Sequence, residues 1–419
     1  MSAPATATAA AAAATAAAAA GWFDPFFGAR KLSNDTVVYL TSVGIVSAIT
    51  FLVFFLTIFI MIIYLSLTLS TPSFPKGWNN VPDYDAAKGA RKSIADYMAS
   101  TNPPLDPTKT PMMKFTIATA NFGGVFTEDI GGISPYIGTV HPDAARRQVE
   151  AGARALVLDV WPSPVDQKTP IVDCMTDVTQ WSSQNWWQTH GLATGNGKTY
   201  SNWRRLTRGD PTPVTTIVSA AINEAFNSAN PQNNDPFFLI LHLHGAMPTG
   251  YLNTLGNILI TAIGTRRMSP TIIPVSGIAT IPVQEFLGKC CVMVCPDIQT
   301  NSLPGVSIYP AFLEQFATTV MAEVASAVEQ GPSQMMFNPA NAASAATASQ
   351  TGFAVIQPTV GGTSTRNTAL FTLPYTTCLT SAQFVAVNLF SPDTSASDAL
   401  TQYFSPAYFD TYSFVKRGP

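Results

Sequence analysis

Residues 147–162, RQVEAGARALVLDVWP, contain the pattern that decides the fold. A helical pattern over residues 143–153 ends beside a glycine, and the apolar run 155–161 that follows has the composition of a buried strand. The same succession recurs beyond residue 112. Further strands are predicted at residues 113–119, 170–175, 236–244, 290–294 and 383–390. Further helices are predicted at residues 214–227, 251–264 and 310–329.

Alternating strands and helices over a region of this length predict a parallel α/β fold. Two architectures satisfy the alternation, a (β/α)8 barrel and a doubly wound sheet, and the length of the region favours the barrel. The low-complexity segment NPANAASAATASQTG, residues 338–352, divides the region into a longer and a shorter part. We expect a loop or an insertion there.

A long apolar segment precedes the α/β region. Residues 36–75 contain no charged side chain, and residues 43–65 are almost wholly apolar. That is about the length that crosses a ~30 Å hydrocarbon core as a helix, so we predict one transmembrane helix within residues 36–70. The alanine-rich residues 1–35 are predicted to be disordered, and the Pro- and Asn-rich residues 71–111 to form a juxtamembrane linker before a barrel at 112–419.

The flanks of the apolar segment indicate its orientation. Basic residues are more numerous after it than before it, and no Asn-x-Ser/Thr sequon occurs downstream. Both features favour a C-terminal region on the cytosolic side. The apolar run begins too far from Met1 for a signal peptide, so we expect an uncleaved anchor.

Composition excludes several classes of protein. The 22 basic and 25 acidic residues give a net charge of -3, and no lysine or arginine cluster suited to nucleic acid is present. The five cysteines are odd in number and lack paired CxxC spacing. They indicate neither a disulfide framework nor a structural zinc site, and we expect reduced thiols.

Five stretches of the α/β region resemble the X and Y regions of phosphoinositide-specific phospholipase C, in the phospholipase C-like phosphodiesterase superfamily. Residues 147–162, with the following PIV at 170–172, resemble a helix and strand carrying ELDxW and then PxxxHG. PFFLILHLHG at 236–245 resembles PxxLSxExHC, and FLGK at 286–289 resembles LxGKxLxK. QFVAVN at 383–388 and YSFVK at 412–416 resemble QxVALN and GYVLKP. The resemblance implies a distorted TIM barrel, with residues 338–352 between its X and Y halves.

The resemblance also implies cleavage of a phosphodiester by two proton-transferring histidines and a Ca²⁺ ion held by oxygen ligands. Matched residue by residue, the first histidine falls on Ala120, and the second falls on Cys174 or Asp173. The glutamate of ELD falls on Leu158, and the glutamate of ExHC falls on His242. The sequence therefore predicts that the catalytic constellation is degenerate.

Two of the implied Ca²⁺ ligands are retained, as Asn121 and Asp159. They are too few for the about six to eight oxygen ligands that Ca²⁺ takes, so we expect the calcium site to be lost and no cofactor to be bound. A different divalent metal is an alternative, because His242 and His244 at i and i+2 share one face of a strand with Asp159 and Asn121 nearby. Two satisfied core histidines are the plainer interpretation.

Three functions remain open from the sequence. The first is a membrane-anchored, catalytically degenerate phospholipase C-like barrel with a structural, scaffolding or ligand-binding role, including a virion membrane component. Its partners would be the bilayer, other proteins of a membrane assembly and a phosphorylated head group. The second is an active membrane-bound phosphoric diester hydrolase with a rearranged His/Asp metal site, in which His190 of WWQTHG supplies a displaced histidine. The third is a head-group module that uses Arg204, Arg205, Arg208 and Lys289.

Overall fold

The computed structural model divides the chain into two compact units, Met1–Ser73 and Phe74–Pro419. The residues that it describes are 34–69, 91–127, 137–163, 165–166, 168–177, 203–244, 251–268, 280–296, 319–320, 322–323, 335–358, 367, 371, 373–391 and 399–417. The predictions for residues 1–33, for His190 and for most of 310–329 concern residues outside these ranges.

The first unit contains helix α1 (Asn34–Leu69). Its segment Thr41–Ile62 is long and apolar enough to cross a membrane, and it has no contact that buries it within the described part of the chain. The hydroxyls of Ser42, Thr50 and Thr57 donate to backbone carbonyls one turn earlier, at 2.7–2.8 Å. These three hydroxyls are therefore satisfied inside the helix, as an apolar solvent favours. The predicted apolar helix is confirmed.

The second unit is built from short strands and helices. In chain order the strands are β1 (Phe115–Ala120), β2 (Val125–Thr127), β3 (Gly138–Val140), β4 (Ala155–Pro162), β5 (Pro170–Val172), β6 (Met175–Asp177), β7 (Trp203–Arg205), β8 (Thr207–Arg208), β9 (Thr212–Pro213), β10 (Phe237–Leu243), β11 (Cys290–Pro296), β12 (Thr319–Val320), β13 (Ala322–Glu323), β14 (Met335–Phe337), β15 (Ala354–Ile356), β16 (Phe384–Val387) and β17 (Phe414–Lys416). The helices are α2 (Ile94–Ser100), α3 (Pro142–Glu150), α4 (Val214–Ala225), α5 (Tyr251–Ile263), α6 (Val283–Phe286), α7 (Ala342–Ala348), α8 (Tyr375–Ser381) and α9 (Ala399–Tyr403).

The main sheet has the order β12-β11-β10-β4-β1-β16-β15-β14-β13, and neighbouring strands along this path are parallel. Its central strands β4 and β10 pair from Ala155↔Phe238 to Val160↔Leu243. Strands β5 and β17 add to it in the antiparallel direction. The predicted parallel α/β fold is confirmed, and the strands predicted from apolar runs lie within a few residues of β1, β4, β10, β11 and β16.

Two faces of this sheet are buried against different partners. On the helix-packed face, residues such as Leu156 and Leu158 join a core with the apolar sides of α3, α4, α5, α7, α8 and α9. On the opposite face, Val157, Phe238 and Ile240 join a second core that α2 and α6 also enter. Burial of both faces explains why the strands are continuous apolar runs, as parallel strands are.

Three sequence predictions about the second unit are wrong. Residues 338–352 contain α7, which connects the parallel strands β14 and β15 and buries Ala342 and Ala345. Parallel neighbours need such a crossover, and alanine is the best helix former, so this is a structural element and not a loop or an insertion. Within 310–329 the described residues form β12 and β13, since pairing with β11 and β14 overrides the helical pattern.

The third correction concerns the linker predicted at 71–111. Helix α2 lies within that range, and its residues Ile94 and Met98 are buried in the core of the opposite face. Ser93 and Asp96 form a capping box that fixes its start. An i, i+4 pair of apolar side chains on a capped helix is enough to dock it, so the second unit begins well before residue 112.

Candidate functional site

The opposite face of the sheet changes from apolar to polar along its strands. On β4 the residues of this face are Ala155, Val157 and then Asp159. On β10 the same alternation leads to His242 and then to His244, the residue directly after the strand. Side chains of a strand alternate between faces, so each polar residue follows its apolar predecessors in steps of two. The register pairs His242 with Asp159. The carboxyl ends of the strands therefore carry a polar cluster.

Three nitrogen atoms converge on one oxygen of this cluster. The Oδ1 atom of Asp159 lies 2.8 Å from Nε2 of His244 and 3.3 Å from Nδ1 of His242. Gln357 follows β15, and its Nε2 donates to the same oxygen at 3.4 Å and to Oδ1 of Asn121 at 3.4 Å. The ring of Trp161 stacks on His244 with centroids 4.5 Å apart and planes 9° apart. We call Asp159, His242, His244, Asn121 and Gln357 the polar cluster.

Electrostatics keep the Asp159 carboxyl ionised. Burial raises its pKa, but hydrogen bonds and positive charge from His242 and His244 outweigh burial and hold the pKa below its usual value. Asp159 is only 9% exposed, so a buried carboxylate here requires such partners. The partners that the structure gives it are His242 and His244.

The loop after β1 holds Asn121 in place. The side chain of Gln148, on α3, accepts from the backbone N–H of Gly124 at 3.0 Å and donates to the carbonyl of Phe122 at 3.1 Å. Gly123 donates to the carbonyl of Val157 at 2.8 Å, and a Cβ on Gly123 would lie 2.7 Å from that oxygen. The backbone beside Asn121 therefore packs directly on β4, which leaves room only for glycine.

Two amide atoms of the cluster have no hydrogen-bond partner among the described residues. They are Nδ2 of Asn121 and Oε1 of Gln357. Asn121 is fully buried and Gln357 is 7% exposed, so neither is satisfied by bulk solvent in this conformation. Buried polar atoms without partners are costly and are typical of places where a ligand or ion completes the structure.

The second matched histidine position lies in a separate, internally paired cluster. The carboxylate of Asp173 accepts hydrogen bonds from Arg205 and Thr207, and from the backbone N–H of Cys174 at 2.8 Å. Burial raises the pKa of Asp173, although Arg205 and Thr207 oppose this. Burial, with the nearby charges of Asp159 and Asp173, raises the pKa of the Cys174 thiol well above its ordinary value. A thiol of this kind is a poor proton donor and acceptor near neutral pH.

Two residues matched to the catalytic constellation point away from the polar cluster. Ala120 and Leu158 are fully buried in the core of the helix-packed face. The residue that shares the face of Asp159 two positions earlier is Val157. The prediction that placed the ELD glutamate on Leu158 is therefore wrong by one residue, because only residues two apart share a face. His242 does lie in the cluster, whereas His190 lies outside the described residues.

Sequence reasoning missed Gln357 and the stacking role of Trp161. Gln357 is the first polar residue after the apolar strand FAVI, which was a signal for a strand end that points into a site. Its sequence neighbourhood gave no match to the family motifs. Its contact with Asn121 and Asp159 joins residues that are far apart in the chain.

The head-group residues do not gather at the polar cluster. Arg205 is bound to Asp173, and its Nη1 donates to the carbonyl of Gly209 at 2.9 Å. Lys289 precedes β11, at the opposite end of the strands from His242, and donates to the carbonyl of Thr265. Arg208 follows in β8, and the side chain of Arg204 lies outside the described residues.

The Ca²⁺ ion that the resemblance implies does not fit these residues. The cluster offers one carboxylate and two amides as oxygen donors, while two imidazoles occupy the space around the carboxylate. Ca²⁺ takes about six to eight oxygen ligands and does not favour imidazole nitrogen. No step of a calcium-dependent mechanism can be derived from this donor set.

No family model and no curated protein sequence matches this chain. Among solved structures, it is similar to PLC21 from L. pealei at a TM-score of 0.46 and 12% identity, over 77% of this chain and 40% of that chain. It is similar to the calcium-dependent phosphoinositol-specific phospholipase C from Pseudomonas sp at a TM-score of 0.42 and 10% identity, over 70% of this chain and 96% of that chain. It is also similar to the Ca²⁺-dependent phosphatidylinositol-specific phospholipase C from Streptomyces antibioticus, at a TM-score of 0.43 and 11% identity, over 67% of this chain and 95% of that chain. The chain spans 40% of the length of the PLC21 structures from L. pealei and S. officinalis.

Proposed function

We propose that this chain is a membrane-anchored, catalytically degenerate phospholipase C-like barrel with a ligand-binding and structural role. The proposal rests on the residues found at the two positions that match the proton-transferring histidines. Ala120 has no titratable group and packs against helices, and the alternatives Cys174 and Asp173 are buried, the second within an ion pair with Arg205. General acid–base catalysis needs an accessible group that can exchange a proton with the substrate; Ala120 has no such group, and Cys174 and Asp173 are buried.

Closure of the sheet into a barrel is part of this proposal. The two ends of the strand path, β12 and β13, are separated by one residue of chain. Strand β12 pairs with β11, while β13 pairs with β14, both in parallel. Counted together as one strand, β12 and β13 would give a closed sheet of eight parallel strands, the number in a TIM barrel.

Anchoring and localisation follow from α1. A helix with this length and polarity spans a bilayer most simply as a single pass. Because basic residues are more numerous after the helix than before it, the C-terminal barrel would lie on the cytosolic side. The partners are then the bilayer and other proteins of a membrane assembly, such as that of a virion. A phosphorylated head group has weaker support, since Arg205 is bound by Asp173 and Lys289 lies at the other end of the strands.

The competing function is an active diester hydrolase with a rearranged metal site. The observation that favours it is the convergence of His242 and His244 on Asp159. Metal-bound water could replace one missing proton-transfer group. His190, the displaced histidine candidate, would then have to act from the part of the chain outside the described residues.

One assay separates the two functions. The full chain in detergent, shown to be folded by circular dichroism, is incubated with phosphatidylinositol vesicles and with glycerophosphodiesters in Ca²⁺, Zn²⁺ or Mn²⁺. We expect no release of phosphorylated product above the rate without protein. Release that is lost in Asp159→Asn and retained in the surface control Lys109→Met would establish the hydrolase and overturn the degenerate assignment.

A further inference from the structure

We propose that Asp159, His242 and His244 form a binding site for a divalent transition metal of the zinc class. This inference deepens the proposed function, on whose site it rests, by naming the ligand of the polar cluster. One ligand atom from each of the three residues lies within 4.8 Å of the others. In a tetrahedral site with bonds of about 2.0–2.2 Å, ligand atoms are about 3–4 Å apart, so small side-chain rotations suffice to enclose an ion.

The ligands lie on or directly after two central strands of the main sheet. Strands β4 and β10 are central, parallel neighbours in the sheet, and His242 is in register with Asp159. His244 follows directly, and its backbone N–H donates to the carbonyl of Val160 at 2.9 Å. Ligands fixed by a sheet keep their mutual geometry without a metal, and this reduces the cost of organising the site on binding.

The donor set selects the metal. Two imidazoles and one carboxylate suit Zn²⁺, Co²⁺, Fe²⁺ and Ni²⁺, whereas Ca²⁺ and Mg²⁺ prefer oxygen ligands. Three protein ligands leave an open fourth position, as in the zinc sites that bind water or substrate. Cys295 stands beside His242 in the register of β10 and β11, although it is not one of the three groups whose ligand atoms lie within 4.8 Å of one another.

The surrounding residues supply the supports that metal ligands usually have. Gln357 donates to the Asp159 oxygen, and the Trp161 ring fixes the plane of His244. Such outer contacts orient metal ligands and tune their affinity. The unpartnered Oε1 of Gln357 belongs to the same amide as the donating Nε2, so it can accept from a water on the open position. The unpartnered Nδ2 of Asn121 can donate to an anionic ligand there.

All three ligand side chains keep a small exposed fraction. The side chain of His244 is 12% exposed, slightly more than those of His242 at 10% and Asp159 at 11%. The three groups are thus mostly enclosed but not sealed. An ion can enter from the carboxyl ends of the strands, where ligands bind in parallel α/β sheets.

Cobalt titration of the full chain in detergent tests the site. After dialysis against a chelator, Co²⁺ is added and its visible absorption is followed, since a tetrahedral Co²⁺ site absorbs far more strongly than the hydrated ion. We expect one equivalent to bind, Zn²⁺ to displace it, and millimolar Ca²⁺ to leave it in place. The absence of a saturable signal from folded wild-type chain would overturn the proposal.

A graded series of variants assigns the ligands. His242→Ala, His244→Ala and Asp159→Asn should each weaken Co²⁺ binding by about 100-fold or more, and Gln357→Ala by about 10-fold. His141→Ala is the matched control, because His141 caps α3 and is not a member of the polar cluster. It should bind as wild type does. Retained binding in the His242→Ala, His244→Ala double variant would contradict the site.

A measurement on the wild-type chain guards against variants that fail to fold. Zn²⁺ should protect His242 and His244, but not His141, from modification by diethyl pyrocarbonate, as read by peptide mass. Equal modification with and without Zn²⁺ would overturn the site. The diester assay reports independently: metal binding without cleavage supports both proposals, whereas metal-dependent cleavage overturns the degenerate assignment and leaves the site standing.

Discussion

Two buried charges mark strand β4, one directly before its first residue and one in its carboxyl-terminal half, and the two are held in different ways. Arg154 precedes the strand, and its guanidinium donates to the carbonyl of Ala225 at 3.1 Å and to Oδ1 of Asn230 at 3.2 Å. Five residues later, Asp159 is held by two imidazoles. The charge of Arg154 is bound by neutral oxygen acceptors, whereas the charge of Asp159 is bound by imidazoles, which can also bind a metal.

This difference separates stability from function along one strand. Burial lowers the pKa of Arg154 to about 10, so the guanidinium still carries its charge near neutral pH and its neutral acceptors serve only to hold it. In parallel α/β sheets, ligands bind at the carboxyl ends of the strands. Arg154 is fully buried and Asp159 is 9% exposed.

The largest effect is expected at the amino end. Arg154→Met keeps an apolar stem but removes the side-chain donor to the carbonyl of Ala225 and one of the two donors to Oδ1 of Asn230, so the free energy of unfolding should fall by about 3–5 kcal/mol. Lys109→Met is the control, because Lys109 is 82% exposed in its ion pair with Asp106 and should change stability by less than about 0.5 kcal/mol. Urea unfolding in detergent, followed by tryptophan fluorescence, measures both. Equal losses in the two variants would remove the contrast between the buried and the exposed cation.

A second effect at the amino end depends on pH. Burial raises the pKa of Asp235 from 3.8 to about 7, although Arg154 lowers it. The folded chain therefore holds this proton more tightly than the unfolded chain, so the stabilisation is complete below about pH 4 and is lost as pH rises through about 7. Asp235→Asn should gain on the order of 3 kcal/mol relative to wild type between these limits, as measured by unfolding across pH.

The control for that pH dependence has the opposite sign. Hydrogen bonds from Thr169 and Lys168 lower the pKa of Asp166 to about 2, so its contribution is present above the unfolded pKa and is lost as pH falls. Asp166→Asn should therefore lose stability relative to wild type as pH rises. If Asp166→Asn gained stability with rising pH as Asp235→Asn does, the pH dependence of stability could not be assigned to Asp235.

Zinc should act only at the carboxyl end. At a free Zn²⁺ concentration of 100 times the dissociation constant, the free energy of unfolding of wild type should rise by about 2.7 kcal/mol. Arg154→Met should gain as much, if enough of it is folded, since its site is intact, and His244→Ala should gain nothing. Unfolding curves with Zn²⁺ and with chelator give these differences. An increase in His244→Ala equal to that of wild type would place the ion elsewhere.

The smallest effect is expected from the thiols. All five cysteines are free and buried, including Cys290 at the amino end and Cys174 near the carboxyl end. Burial raises the pKa of Cys378 to about 11 and those of Cys174 and Cys290 well above their ordinary range. We expect fewer than one thiol per folded chain to react with Ellman's reagent at pH 8, and all five after unfolding. A rapidly reacting thiol in the folded chain would show that one of the strand ends opens.

The strongest patterns in the sequence predicted individual helices and strands, and the structure contains them. The apolar segment within residues 36–70 is a single long helix, and the run 155–161 is a parallel strand at the centre of the sheet. Predictions failed where composition alone was used. The alanine-rich residues 338–352 contain a helix because α7 must connect β14 to β15, and the spacing of residues within one segment does not reveal that need.

The polar cluster was predicted in part, because Asn121, Asp159, His242 and His244 stand at the ends of recognisable strands. Gln357 was not found, and the glutamate of ELD was matched to Leu158, although Val157 is the residue that shares the face of Asp159. A shift of one residue in matching a motif transfers a side chain to the other face of the sheet. Sequence similarity of a few letters does not fix that register.

By itself, the sequence determined the parallel α/β class and the apolar helix, since these follow from periodicity and composition. Only the tertiary structure decided that Asp159 pairs with His242 and His244 and not with Arg154, and that Gln357 reaches both Asp159 and Asn121. The physical reason is that local patterns set which face a side chain takes within its own strand. The order and register of strands distant in the chain set which side chains meet.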